Sequence, residues 1–424
     1  MATLSSHLIL ITALLLLLLH LSVPSSSQEC QHAADCSPPP SPLPEPPSDY
    51  CREGNCTVSP SPSPSPEPSP TFQDVRLAAA FPVIQRFRAS ITSDPLNITR
   101  TWTGPDVCSY TGFTCDSPPD NLTATTVAAV DFNGFGLSAP SLDNFIDQLP
   151  DLALFHANSN NFSGTISPNI ASLQYLYEFD ISNNRFSGAF PPAILQIPTL
   201  TFLDIRYNSF AGPLPPQIFN RSLDALFLNN NNFAQTLPPN LGDLPALLLT
   251  LANNNLTGPI PRSIGRLSTT LTEVLFLNNR LTGCLPVELG NLTQATVIDA
   301  GNNLITGPLP CSLSCLRKVE RLCAVQSLAN LSLSENFFTS VGPNCRRMIR
   351  RGALDVRGNC ISDQPAQRSL SECSVFFLQP RLCPFMPLYD VVPCSRDRTS
   401  GRRVAPGRKS NWVSYSALSE HKAL

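Results

Sequence analysis

Relay catalysis at neutral pH needs an imidazole or thiolate held beside a nucleophile and an orienting carboxylate. The chain has five histidines, and two of them, His7 and His20, flank an apolar N-terminal run, which leaves His32, His156 and His421. Only His156 falls among regularly spaced residues, so a Ser/His/Asp or Cys/His relay has almost no candidate base. There is no Cys-x-x-Cys pair, no phosphate-cradling glycine loop and no His/Cys cluster at metal spacing. Paired carboxylates of the glycosidase kind stay open on counting alone. The expectation is a protein that is not an enzyme, with no cofactor and no metal. What remains is recognition chemistry: a recurring column of Asp131, His156, Asp180, Asp204, Phe227, Thr250, Leu275, Asp299, Ser332 and Asp355, half of it acidic, flanked by Glu178, Phe202, Arg206 and Leu277.

Such a column exists only if something repeats the chain past it. The stretches Phe179-Asp180-Ile181-Ser182-Asn183-Asn184 and Leu249-Thr250-Leu251-Ala252-Asn253-Asn254 share one apolar spacing. Their register asparagines are Asn160, Asn184, Asn208, Asn231, Asn254, Asn279, Asn303, Asn336 and Asn359, with a degenerate first copy at Val130 to Ala139. The steps are 24, 24, 23, 23, 25, 24, 33 and 23 residues, the period of a leucine-rich repeat. In each unit a short strand turns two apolar residues inward, such as Phe179 and Ile181, and the residue between them faces solvent. One unit cannot bury its apolar face, so about ten must stack into a parallel sheet with a core behind it. Segments such as Gly258-Pro259-Ile260-Pro261 and Gly283-Cys284-Leu285-Pro286 mark the plant-type variant. The fold class is therefore an α/β solenoid, a right-handed plant-type leucine-rich-repeat horseshoe with disulfide caps at both ends. The step of 33 residues has two readings: a convex-side insertion through Leu313 to Ala324, or a half-unit lost between Leu322 and Cys323. The loss is favoured, and it predicts a local packing defect.

The flanks set the compartment. An apolar run from Leu14 to Leu19 followed by small polar residues reads as a cleaved secretory signal over 1–27, and no later stretch reaches the ~20 apolar residues of a membrane span. Residues 28–71 form a Cys-containing Ser/Pro-rich spacer too poor in amide donors and apolar side chains to make a core. Residues 72–126 read as an N-terminal helical cap, with an amphipathic helix over Phe81 to Ala89, then Trp102 and the expected disulfide partners Cys108 and Cys115. The repeats fill 127–361, a Cys-rich C-terminal cap fills 362–394, and a basic, disordered tail fills 395–424. Fifteen cysteines and eight glycosylation sequons, at Asn55, Asn97, Asn121, Asn161, Asn220, Asn255, Asn291 and Asn330, fit an oxidising, secreted setting. Cys345, Cys360, Cys373, Cys383 and Cys394 staple the C-terminal end in a pairing that spacing does not give. Cys284 either pairs with Cys311 or stays free. The net charge of −3 hides an asymmetry, −12 over residues 1–310 and +9 over 311–424.

At this point the residues resemble a known family. The string Ser93-Asp94-Pro95-Leu96-Asn97-Ile98-Thr99, then Trp102, then Asp106 through Cys115, resembles the cap of plant leucine-rich-repeat extensins. So do Ala153 through Asn160 and Leu223 through Asn229. The likeness runs from about Phe72 to Cys360. The long Ser-Pro-Pro-Pro-Pro domain of those proteins is missing, so the chain looks like their extensin-less relatives. The resemblance implies a cell-wall protein that binds small, basic, cysteine-rich signalling peptides and helps organise the wall.

Residue chemistry gives that implication a place. Asp131, His156, Glu178, Asp180, Phe202, Asp204, Arg206, Phe227, Leu275 and Asp299 would form a concave seat in which carboxylates steer a basic peptide and apolar side chains supply affinity. The competing reading makes the aspartates the ordinary wording of this strand. A glycan at Asn330 would keep ligands toward the N-terminal two-thirds of the arc. Arg346, Arg347, Arg350, Arg351, Arg402, Arg403, Arg408 and Lys409 offer multivalent contact with pectin, or else a solvated tail. The partner expected is an extracellular peptide or protein, with pectin as a second contact and no nucleic acid. Two rivals stand: an inhibitor of pectin-degrading enzymes, and a structural wall glycoprotein.

Overall fold

The structure, a computed structural model, describes residues 71–309 and 328–378, all within the compact unit Pro70–Glu420. The signal, the Ser/Pro spacer with Asn55, the interval 310–327, Cys383, Cys394 and the basic tail lie outside the described residues. No helix among the described residues is long and apolar enough to cross a membrane.

Ten parallel strands, one per coil, follow one another from Thr126–Asp131 to Leu354–Asp355 in a single sheet, and the strand Phe113–Asp116 pairs antiparallel with the first of them. A second sheet of eight short strands, Ser163–Gly164 through Phe337–Ser340, runs beside it as the plant-type segment requires. Short 3-10 turns on the opposite side start just after a proline, as at Pro192–Gln196, Pro216–Asn220 and Arg262–Leu267. Proline there supplies the right φ and lacks only a donor that the first turn leaves unused. The middle residue of each strand, such as Phe155, Phe179, Leu203, Leu226 and Leu249, is fully buried.

The register asparagines hold the coils together. Asn254 accepts the Phe233 N–H at 3.0 Å through Oδ1, and its Nδ2 donates to the carbonyls of Leu228, Leu251 and Ala252 at 3.0, 3.2 and 3.1 Å. Asn184, Asn208, Asn279, Asn303 and Asn359 repeat the pattern. One buried amide thus satisfies backbone groups of two successive coils, which would otherwise be costly to desolvate. The residue before each asparagine is left-handed, with φ between 49° and 60° from Ser159 to Glu335. Asparagine tolerates that region best among residues with a side chain, which explains the Asn-Asn pairs.

The irregular interval does not break this ladder. The strand Val297–Asp299 pairs in register with Asn330–Ser332, and Asn336 accepts the Ile305 N–H and donates to the Ala300 carbonyl as in any other coil. Both readings of the long step, the insertion and the lost half-unit, fall in 310–327, outside the described residues.

Both ends are closed. The N-terminal helix spans Val75–Ser90, longer than its amphipathic stretch suggests, with Pro82 in its interior. Asp74 caps it, accepting from the Arg76 N–H, and also accepts from the Thr125 N–H. Arg76 then pairs with Asp120 and Asp151, at 2.7 and 2.8 Å, which ties cap to repeats. Behind it Phe87 stacks on Phe145, and the buried Trp102 donates its indole N–H to the Thr111 carbonyl. Cys108 pairs with Cys115 as expected, and Cys360 pairs with Cys373 at the other end. Cys345 is disulfide-bonded, and so is Cys284, which removes the free-thiol alternative for that residue. The C-terminal helix Leu370–Phe377 begins with a capping box of Ser369 and Glu372. It lays Phe376 on Phe337 at 3.6 Å, covering the last coil.

Candidate functional site

Strand register assembles the recurring column without a slip. Asp131 pairs with His156, His156 with Asp180, Asp180 with Asp204, Asp204 with Phe227, Phe227 with Thr250, Thr250 with Leu275, Leu275 with Asp299, Asp299 with Ser332 and Ser332 with Asp355. A parallel column runs two residues earlier on the same face through Leu154, Glu178, Phe202, Ala225, Leu248, Glu273, Val297 and Asn330. Neighbours along either column are about 4.8 Å apart, the strand spacing.

The aspartates do structural work. The backbone N–H two residues on is accepted by Asp131, Asp180, Asp204, Asp299 and Asp355 at 3.0, 2.8, 3.0, 2.8 and 3.0 Å. Each thereby closes a local turn where the strand ends. This gives a physical reason for aspartate at this position and leaves the second oxygen of each carboxylate for other contacts.

Three members of the column do not face solvent as alternation requires. Asp204, Phe227 and Thr250 are 1%, 3% and 2% exposed. Thr250 turns its hydroxyl to Asn229 Oδ1 at 2.5 Å. Phe227 is covered by Phe202, at 5.6 Å between ring centroids, and by the Arg206 guanidinium at 5.1 Å. Asp204 lies under the same arginine, whose Nε is 2.9 Å from Oδ2. Burial, with Asp180 adding to it, raises the Asp204 carboxyl well above the usual carboxylate range despite Arg206 and the N–H it accepts.

On the N-terminal side the column stays open and charged. His156 Nε2 lies 3.1 Å from Glu178 Oε2. Burial alone would lower this imidazole, but the Glu178 hydrogen bond and charge, with the charges of Asp180 and Asp131, outweigh it and shift it upward. Beside Glu178, burial and that neighbouring carboxylate push the Tyr177 phenol up to about 12. Tyr175 and Tyr177 pack on a small cluster of Ala128, Ala129, Ala153 and Leu154. Sequence reasoning passed over both tyrosines because they precede the strand and follow no repeating position. It also passed over Glu273, a buried carboxylate raised by desolvation.

Toward the C-terminal end Leu275 and Asp299 are half-buried, and burial also raises the Asp299 carboxyl. Asn330 is exposed on the same face, so a glycan there would stand over the last coils. Asn97, Asn121 and Asn220 are exposed, while Asn161, Asn255 and Asn291 are half-buried. Among the described residues there is no group of three or more His, Cys, Asp or Glu placed to hold a metal ion.

Comparison with known proteins bears on the family and the fold. The model for the leucine rich repeat N-terminal domain matches residues 83–116, and that for the leucine rich repeat matches 175–197 and 248–267. Leucine-rich repeat extensin-like protein 7 of Arabidopsis thaliana is 41% identical over 349 residues, which is 79% of this chain and 78% of the relative. Leucine-rich repeat extensin-like protein 1 of the same plant is 52% identical over 159 residues, 38% of this chain and 21% of the relative. The matches to the extensin-like proteins 1, 2 and 4 span about a fifth to a third of those proteins. Among solved structures, the LRR ectodomain of the Arabidopsis receptor kinase GASSHO1/SCHENGEN3, in complex with CASPARIAN STRIP INTEGRITY FACTOR 2, aligns with a TM-score of 0.55 at 23% identity. That match covers 66% of this chain and 36% of the ectodomain, and it is a likeness of fold.

Proposed function

The chain belongs to the plant leucine-rich repeat extensin-like family, and from that premise we propose that it is an extracellular recognition protein of the cell wall that takes a small basic peptide on the open face of its sheet. The observation that carries this reading is the meeting of two kinds of surface within a few strands. Asp131, Glu178 and Asp180 surround His156 with negative charge, the half-buried Phe202 follows on the next strand, and the half-buried Leu275 lies further along the same face. Carboxylates of this kind raise the encounter rate with a cation, while desolvated aromatic contacts slow its departure. Glycosylated proline in the spacer, or contact between pectin and the basic C-terminal residues, would hold the complex in the wall.

The test is recovery of partners from apoplastic extract by the native protein and by a Glu178→Gln/Asp180→Asn variant. Both replacements keep shape, and asparagine at 180 still accepts the Ser182 N–H. A small basic peptide retained by the native protein and reduced at least tenfold on the variant is the expected result. Equal recovery by both removes the open face as the binding surface. A polygalacturonase recovered in place of a peptide favours the inhibitor reading, and protein released from walls only by harsh extraction, with no partner, favours a structural one.

A further inference from the structure

Two Asp-x-Arg pairs end strands of the main sheet, and they are built differently. At the C-terminal end Arg357 grips Asp355 with two side-chain hydrogen bonds, Nε to Oδ1 at 3.0 Å and Nη2 to Oδ2 at 2.7 Å. In the middle of the sheet Arg206 reaches Asp204 with the same spacing along the chain but makes only a charge contact, Nε to Oδ2 at 2.9 Å, and Oδ2 accepts no hydrogen bond. The guanidinium lies instead over the Phe227 ring. An exposed pair is thus fully bonded and a buried one is not, the reverse of what desolvation demands.

The surroundings of Asp204 explain what the loose pair leaves available. Its column is the outward one, and its neighbour Asp180 is half-buried, yet Asp204 is 1% exposed. Phe227 is its register neighbour on the next strand, Phe202 lies two residues before it on its own strand and packs against Phe227, and Arg206, with 18% of its side chain exposed, lies over it. A carboxyl beside a pair of packed aromatic rings is a seat for a planar cation, which bonds the oxygens with its edge and stacks its face on a ring.

We infer that the Asp204 carboxyl, beside the packed rings of Phe202 and Phe227, is a cation subsite that Arg206 occupies in the free protein and that a ligand guanidinium takes over by swinging Arg206 aside. Its biological ligand rests on the peptide reading above, but the subsite itself answers to a simpler probe. The self-held arginine lowers affinity for basic ligands in general, since any entering cation must first displace it, and favours those with enough further contacts to do so.

The test measures binding of N-acetyl-arginine amide to the full secreted chain by calorimetry or NMR titration, with N-acetyl-citrulline amide as the uncharged control of the same shape. Arg206→Ala is expected to bind the arginine probe at least fivefold more tightly than the native protein, and adding Asp204→Asn returns it to the native value. The citrulline probe gains nothing. Arg206→Gln, which keeps part of the aliphatic stem, carries the same expectation if the alanine variant does not fold. Binding of the arginine probe no tighter than native in a folded variant, or a gain that survives Asp204→Asn, overturns the subsite. Failure of the native protein to recover a basic peptide from extract, with a gain here, removes the peptide reading and leaves the subsite. Peptide recovered by the native protein and lost on the Glu178→Gln/Asp180→Asn variant, with no gain here, removes the subsite alone.

Discussion

At the scale of single residues, His156 and a few buried carboxyls of the main sheet are held away from their ordinary titration. His156 is charged to a higher pH than a free imidazole because Glu178, Asp180 and Asp131 outweigh its burial. A cation whose pKa rises on folding stabilises the fold fully below its unfolded value, and that stability is lost as pH rises through the folded value. Asp204, Glu273 and Asp299 are raised by burial, so the fold is also weakened as pH climbs past the ordinary carboxylate range and these groups are forced to ionise. Carboxylates shifted downward, such as Asp74 and Asp120, are ionised throughout that window and add no slope. The melting temperature is therefore expected to fall by a few degrees between pH 5 and pH 8, with about 1 kcal/mol corresponding to roughly 2–4 °C in a domain of this size. His156→Gln should flatten part of that slope, and an unchanged slope would show that the imidazole is not held this way. Repeat spacing alone sufficed to align His156 with Asp180. It did not show that Asp204 is buried, because the side chains over it come from three positions whose rotamers no periodicity encodes.

Single elements show where a coil departs from its own pattern. Gly212 and Gly258 close their second-sheet strands with φ of 87° and 70°. At the equivalent place in Asn232–Thr236 the chain carries Gln235, at φ 77°. A side chain in that region costs on the order of 1–2 kcal/mol, part of which glycine returns as unfolded-chain entropy. Gln235→Gly should raise stability by about 0.5–1 kcal/mol in denaturant unfolding, and a loss would mean that the glutamine side chain contributes contacts of its own. Much at this scale is legible in the sequence: the asparagine ladder, the strand positions and the cap disulfide Cys108–Cys115 follow from spacing and residue type. The amphipathic pattern alone gives a shorter N-terminal helix, since Pro82 suggests a start and not an interior, and only the Asp74 cap with buried Leu77 and Ala80 carries the helix back to Val75.

For the molecule as a stack, strength is local and shared only between neighbours. The Cys360–Cys373 bridge closes a short loop, for which about 3 kcal/mol is typical, and it fixes the helix that covers the last coil. Cys360→Ser/Cys373→Ser should speed hydrogen exchange over the strands Leu354–Asp355 and Phe337–Ser340 while the strands from Glu178 to Thr250 keep their protection. Uniform loss across the sheet would show a single cooperative unit instead. The amide of Asn254 serves the coil before it and its own in the same way as that of Asn184 or Asn303. Interior joints are thus interchangeable, and a gene could duplicate or delete one whole turn of the coil by unequal crossing-over without exposing any new surface. The two ends are unlike each other and unlike the joints, so such lineages would vary in length from the middle outward while their termini stayed fixed.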